Sequence, residues 1–250
     1  MDSHEEEPLT GGNVSDVVRI GHTVRRSLRS GSRDVHRLLL HLERKQVPFT
    51  PRFLGIDDQN REILTFIEGD AADYPGASWM WRDEALIRIA GMLRQYHDAV
   101  SDFPLEGNWE TMPLSPDEPD IICHRDFAFY NLIFHNQQPA GVIDFDMAGP
   151  GTAMWDASYT AYTCVPLGSR SRTDNSYERI RRLDLFFEGY GSPKPDDVSD
   201  ILVRRLESLC ATIEAKAAAG EAAFQHMKNE GHIDYYQQEI RIVRAQLQRA

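Results

Sequence analysis

The segment from Ile121 to Phe134, IICHRDFAFYNLIF, constrains this chain more than any other. It is apolar on both flanks, yet it carries a charged pair and an Asn among aromatic residues. An ionised group taken out of water without partners is costly. Asp126 therefore needs a compensating group: a metal, a reacting proton or a salt bridge with Arg125. Thirteen residues beyond Asn131 stands Asp144, at the end of the apolar run Gly141-Val142-Ile143. The short strand LIF, the polar turn HNQQP and the strand AGVIDFD read as a hairpin, which folds Asp144 back beside Asp126 and Asn131. Two carboxylates and an amide oxygen are hard ligands. They suit Mg²⁺, which takes few protein ligands and leaves the rest of its shell to phosphate oxygens. A phosphoryl-transfer site divides its labour in this way: one carboxylate orients the attacking hydroxyl and accepts its proton, while other oxygens hold metal against the phosphates. The competing structural reading is a buried Asp126–Arg125 pair with Asn131 capping a turn.

The rest of the chain frames this centre as an α+β protein of two lobes, a small β-rich one followed by a larger, mainly helical one. Residues 1–8 are acidic and predict a disordered tail. LTGGNVSDVVRIGHTVRR reads as strand, Gly-His turn, strand, opened by Gly11-Gly12. Val35, Leu38, Leu39 and Leu42 recur at helical spacing, and Pro48 and Pro51 end that helix. FLGID and EILTFIEG follow as strands around the polar turn Asp57–Arg61. From residue 79 the character changes: WMWRDEALIRIAGMLRQYHDAV is a long amphipathic helix. A Pro-rich acidic connection, Ser101–Asp120, reads as a surface loop. Beyond Gly151 the chain is helical, with apolar stripes at Leu202, Leu206, Leu209, Ile213 and Ala217, and at Tyr236, Ile240, Val243 and Leu247. The implied organisation is a tail over 1–8, a nucleotide-binding lobe over 9–68 and a helical lobe over 69–250, with a hinge at Phe66–Gly69.

Composition narrows the function. The 250 residues carry 27 Lys and Arg against 39 Asp and Glu, a net charge of −12, and a nucleic-acid footprint is normally basic. No run approaches the ~18 apolar residues of a membrane helix, and MDSHEEEPLT has no apolar core of a signal peptide. Cys123, Cys164 and Cys210 have no metal-ligand spacing and read as structural thiols of a reducing cytosol. The expectation is a cytoplasmic protein with a small-molecule substrate, no nucleic-acid partner and no membrane. Its oligomeric state is left open.

HRDFAFYN, then GVIDFDMAGPG, then MWDASY resemble the aminoglycoside phosphotransferase and choline kinase family, relatives of the protein kinases, whose form of this loop is a known signature. The resemblance covers most of the chain and is strongest from Ile122 to Tyr159. It implies a protein-kinase-like fold and transfer of phosphate from ATP or GTP with Mg²⁺. It makes Asp126 the catalytic base, makes Asn131 and Asp144 the magnesium ligands, and has His124 and Asp156 support the catalytic loop. Asp156 also reads as a helix N-terminal cap. The role of Asp146 stays open. Nucleotide contacts would fall on Gly12, Asn13, Arg25, Phe66 and Ile67.

The small lobe departs from that pattern. Family members hold the phosphates with a strand Lys paired to a Glu on the next helix. This chain has no Lys before Lys45, and Val35 and His36 stand where the Glu is expected. The strand reads TVRR, so Arg25 or Arg26 must substitute. If Val24 points to the core, alternation aims Arg25 at the opposite face, which favours Arg25. An Arg grips phosphate by a planar fork, with geometry unlike that of Lys. GGNVS replaces a full glycine loop and also reads as a plain turn.

Three functions share these residues. The first is a kinase that moves the γ-phosphate of ATP or GTP to a hydroxyl of a small, cationic molecule such as an aminoglycoside or amino alcohol. The second is a nucleotide-binding pseudokinase or scaffold with a degraded small lobe. The third is metal-assisted phosphate hydrolysis. Asp184, Glu188, Glu230, Asp234 and Glu239 can receive an amino sugar, and Trp155, Tyr159 and Tyr162 can face a quaternary amine through cation–π contact. The plainer reading of both sets is a solvated face and a core stripe.

Overall fold

The structure, a computed structural model, describes residues 6–9, 17–170 and 175–247. Its first lobe is an antiparallel sheet of β1 (Glu7–Pro8), β2 (Val18–Ile20), β3 (Thr23–Ser27), β4 (Phe53–Ile56) and β5 (Arg61–Thr65), in the order β1-β2-β3-β5-β4. Glu7 and Pro8, expected in the acidic tail, instead pair with Arg19 and Val18. The central register sets Val24 against Leu64 and Arg26 against Glu62. Side chains two apart share a face, so these four residues line one side of the sheet. Helix α1 (Ser32–Arg44) crosses that side and buries Val35, Leu38, Leu39 and Leu42, each worth ~1.5–3 kcal/mol for leaving water.

The crossing between lobes is tight. Phe66 donates its N–H to His22. The chain then turns at Gly69, φ +142°, where a Cβ would stand 2.3 Å from the Phe134 carbonyl oxygen; only glycine fits. Strand β6 (Asp70–Ala71) follows directly and pairs with Phe134 and Ile133.

The second lobe is built on α2 (Asp83–Val100), which buries Leu86, Ile89, Leu93 and Tyr96. Strand β7 (Ile121–Cys123) leads into the catalytic segment. A hairpin of β8 (Leu132–His135) and β9 (Gln138–Val142) follows it, and β10 (Gly149–Gly151) pairs back on β7. Helices α3 (Ala153–Cys164), α4 (Ser176–Tyr190), α5 (Val198–Ala218), α6 (Ala222–Asn229) and α7 (His232–Leu247) complete it. One apolar core runs through both lobes, from Leu38 and Leu42 to Leu206 and Val243. Val142 donates its N–H to the Phe49 carbonyl, which stitches the hairpin to the small lobe. Cys123, Cys164 and Cys210 are free and buried. Among the described residues no helix is long and apolar enough to cross a membrane.

Candidate active site

The catalytic loop is held from below by one carboxylate. Asp156, in the first turn of α3 and fully buried, accepts the N–H groups of His124 and Arg125, both at 2.8 Å, and faces His97 Nε2 at 3.2 Å. Burial works against its charge. The His97 contact and the His124 N–H outweigh that, so its pKa sits below the usual carboxylate value. The N-terminal cap of α3 is Thr152, whose hydroxyl accepts the Trp155 N–H; Asp156 is spent on the loop. Arg125 adopts φ +64° and sends its guanidinium to the carbonyls of Glu110 and Pro150, away from Asp126. The buried Asp126–Arg125 pair is therefore not formed. Gly149 makes room for that guanidinium, since a Cβ there would lie 2.5 Å from Arg125 Nη1. His124 packs against Phe145, ring centroids 4.4 Å apart, and burial depresses its pKa to about 4. It is neutral.

Asp126 projects from this loop with both carboxylate oxygens engaged. Tyr130 donates its hydroxyl to Oδ1 at 2.6 Å, and Asn131 donates Nδ2 to Oδ2 at 2.8 Å and to the Asp126 carbonyl at 2.9 Å. Burial pushes its pKa up to about 6. The Tyr130 bond opposes that rise and the nearby charge of Asp144 adds to it. Asn131 precedes β8 and Asp144 follows β9, and the Ile143 N–H bonds to the Asn131 carbonyl at 2.9 Å. The hairpin thus closes as its spacing predicts. Asp144 is half-exposed and takes φ +66°. With both Nδ2 bonds made to Asp126, the side-chain amide oxygen Oδ1 of Asn131 and the Asp144 carboxylate remain as hard donors. Such a sparse oxygen set fits Mg²⁺, which keeps several positions for water and phosphate. Among the described residues no cluster of three or more His, Cys, Asp or Glu is arranged to hold a metal, so any ion here depends on Asn131 and on oxygens from outside the chain.

The cation that reaches this centre is Arg26, not Arg25. Arg26 bonds through Nε to Glu62 and through Nη2 to Asp146 at 2.7 Å, while Nη1 stands 3.7 Å from Asp144. Arg29 also pairs with Asp146, at 2.7 Å. Arg25 points to the other side, bonding Thr23 Oγ1 at 2.6 Å and facing Asp57 at 3.8 Å. Alternation holds; its phase was misassigned. The face with Val24 and Leu64 is apolar at one end and carries Arg26 and Glu62 at the other, so core and cation share a side. The acidic partner comes from β5. Glu62 is 1% exposed and lies 2.6 Å from His36 Nε2 on α1, so His36 stands behind the acid. Burial raises the Glu62 pKa, but His36 and Arg26 more than reverse this and hold it below the usual value. The sequence signal for Glu62 was its place two residues before buried Leu64, a charge at a core position.

Of the other nucleotide-contact expectations, Gly12 and Asn13 lie outside the described residues. Phe66 carries the Arg19 guanidinium 3.8 Å over its ring, and Ile67 rests against Gly141 of β9.

Residues 77–194 match the profile of the phosphotransferase enzyme family. A trifolitoxin immunity protein from Rhizobium leguminosarum bv. trifolii is 31% identical over 204 residues, covering 75% of each chain. The chain belongs to the phosphotransferase enzyme family. It is a small-molecule kinase by that membership. The fold is shared with solved structures of low identity. A putative aminoglycoside phosphotransferase from Ralstonia eutropha matches at 17% identity and TM-score 0.61, over 98% of this chain and 91% of that one. An aminoglycoside phosphotransferase from Streptomyces rimosus, solved with ADP and streptomycin, matches at 16% and 0.60, over 82% and 92%. An amicoumacin kinase solved in complex with AMP-PNP, Ca²⁺ and Ami matches at 12% and 0.65, over 90% and 88%.

On the far side of Asp126 the phosphotransferase has a cavity. Tyr130 joins it to Asp126, and the Tyr130 and Tyr159 hydroxyls stand 3.0 Å apart. Tyr74, Tyr162, Tyr235 and Tyr236 complete the aromatic lining, with Arg170 and Glu239. Of the five acids expected to receive an amino sugar, only Glu239 lines this cavity. Asp184 pairs with Lys194 at 2.5 Å, and Glu230 with His226 at 3.2 Å. Of the three aromatic residues expected to face an amine, Tyr159 and Tyr162 line it and Trp155 does not. Sequence reasoning missed Tyr130 as a partner of Asp126, although its place beside Asn131 in the motif was the available signal. It also missed Arg170 and Arg205, for which the sequence gives none.

Proposed function

We propose that this phosphotransferase moves the γ-phosphate of ATP or GTP onto a hydroxyl of a small molecule in a Mg²⁺-dependent reaction. The convergence of Asp126, Asn131 and Asp144 with the Arg26 guanidinium on one cleft carries this reading. Asn131 Oδ1 and Asp144 would hold Mg²⁺, which when bound neutralises charge on the phosphate oxygens. Arg26, backed by Glu62 and His36, supplies the cation that a strand Lys supplies elsewhere, and Arg29 adds a second beside Asp146. Phe66 and Ile67, in the crossing segment, would flank the base of the nucleotide. Asp126 orients the acceptor hydroxyl and takes its proton. A carboxylate with pKa near 6 is still ionised at neutral pH and a better base than an ordinary one. Asp156 fixes the loop and Arg125 anchors its backbone, so Asp126 need not be positioned anew at each turnover.

The acceptor is a small molecule of the antibiotic or toxin kind, a reading supported by the related immunity protein and by the amicoumacin kinase of like fold. Three free, buried thiols support a cytoplasmic location. Calorimetry with ATP and GTP, with and without Mg²⁺, followed by transfer of labelled phosphate to a panel of hydroxylated antibiotics, tests the proposal. The expected result is Mg²⁺-dependent binding and transfer that Asp126→Asn abolishes. Binding without turnover on any acceptor would favour the pseudokinase reading, and turnover to water alone the hydrolase.

A further inference from the structure

The cavity beside Asp126 has a charge pattern that phosphoryl transfer alone does not require. Rings such as Tyr74, Tyr159 and Tyr235 are the ordinary seat of an organic cation. Here the chain's own arginines hold those faces. The Arg170 guanidinium lies 4.4 Å over Tyr74 and 5.2 Å over Tyr235. The Arg205 guanidinium lies 4.2 Å over Tyr159. Arg205 is 2% exposed. It donates one bond to the Arg125 carbonyl, and its Nε and Nη1 have no hydrogen-bond partner. Its guanidinium forms no ion pair among the described residues and stands behind the tyrosine wall; the carboxylate that feels its charge is Asp126.

Arg170 is exposed at the mouth of the cavity. Its electrostatic neighbours are Tyr235, Tyr74, Tyr236 and Tyr162, and among the described residues no carboxylate forms an ion pair with it. The acid inside the cavity is already taken. Glu239 Oε2 accepts the Tyr162 hydroxyl at 2.7 Å, and Oε1 accepts the Ser169 N–H at 2.9 Å. A cationic acceptor would meet the Arg170 guanidinium and one saturated acid. An anionic acceptor would meet a guanidinium that has only phenol partners, Tyr74 and Tyr235, among the described residues. One such fork with phenol neighbours suits a planar monoanion, whereas a phosphate dianion calls for more cation.

We propose that the phosphoryl acceptor carries a carboxylate, which pairs with Arg170 while its apolar body lies among the tyrosine rings and its hydroxyl reaches Asp126 past Tyr130. The sign is opposite to the one suggested by the net charge of the whole chain. The proposal rests on the kinase reading only for the fate of the hydroxyl; binding of the carboxylate needs no nucleotide.

The test uses two probes matched in ring and hydroxyl and opposite in charge, 3-phenyllactate and 1-amino-3-phenylpropan-2-ol. Their binding to the full-length protein is followed by saturation-transfer NMR. The expected result is at least tenfold tighter binding of the acid, weakened by salt because Arg170 is exposed. Arg170→Gln should remove that preference without weakening the amine, and Arg170→Lys should restore part of it. Because Arg170 sits at the surface, a thermal-unfolding curve unchanged from wild type verifies that the variants fold. Absence of acid binding, equal affinity for the two probes, preference for the amine, or acid binding indifferent to Arg170→Gln would each overturn the proposal. Phosphate transfer is scored separately. Arg170-dependent acid binding in a protein that neither binds nucleotide nor transfers phosphate counts against the kinase reading and leaves this inference standing.

Discussion

Arg26 donates to Asp146, 120 positions further along the chain, across 2.7 Å. The same guanidinium holds Glu62 and faces Asp144. One side chain thus ties β3 to β5, and both to the segment that ends the catalytic hairpin.

Removing that side chain should weaken nucleotide binding. Charge-assisted contacts are worth ~1.5–3 kcal/mol, so Arg26→Ala is expected to lower ATP or GTP affinity roughly tenfold to a hundredfold by calorimetry. Arg25→Ala should leave affinity unchanged, because Arg25 bonds Thr23 on the opposite face. Arg26→Lys keeps the charge but loses the fork, and should fall between wild type and Arg26→Ala. A damaging Arg25→Ala with a silent Arg26→Ala would reject this assignment.

Asp126→Asn should separate chemistry from binding. General-base and orienting roles contribute ~10²–10⁴-fold, so turnover should fall by about that factor while nucleotide affinity holds. Wild-type turnover in the variant would make Asp126 a structural residue.

For Asp144 the readout is the magnesium dependence itself. Wild type is expected to bind nucleotide more tightly as Mg²⁺ is titrated in. Asp144→Ala should show a flat response, since it removes the one carboxylate of the proposed ligand pair. An identical Mg²⁺ response in the two proteins would place the ion elsewhere.

His124 makes a prediction about stability and pH. Its pKa is about 4 in the fold and ~6.5 in an unfolded chain. A group depressed by folding contributes fully above its unfolded pKa, and the contribution is lost as pH falls toward the folded value. The difference corresponds to roughly 3 kcal/mol. Asp126, raised to about 6, acts with the opposite sign over this range, so the readout is a difference. In urea unfolding between pH ~6.5 and ~4, wild type should lose more stability, or gain less, than His124→Gln, whatever the variant's effect at neutral pH. An unchanged slope would show that His124 is not kept neutral by burial.

The catalytic spacing, the two-lobe order and the main helices were legible because each depends on short-range pattern: a fixed motif, a hairpin of set length, apolar stripes. The fold class follows from them. The Arg25 assignment failed for a different reason. Alternation gives two faces but not which of them meets the cleft; the contact with Glu62 and Asp146 decides that. Glu62 as the acidic partner depends on a β3–β5 register between residues 36 apart, and the helix where a partner was sought supplies His36 instead. The arginines beside the tyrosine cavity were equally out of reach. Arg170 and Arg205 reach the tyrosines from separate segments, and a net charge of −12 says nothing about where two arginines lie. Gly12 and Asn13 are outside the described residues.

The pairing of Arg26 with Glu62 through the sheet ladder bears on regulation. In protein kinases the cation's acidic partner rides on a helix, and moving that helix switches the enzyme off. Here both members sit on adjacent strands in fixed register, and α1 contributes only the histidine behind them. Swinging α1 outward would cost the His36 contact but leave the ion pair assembled. The cation's aim at Asp144 and Asp146 is thereby fixed by the sheet and not by the position of α1.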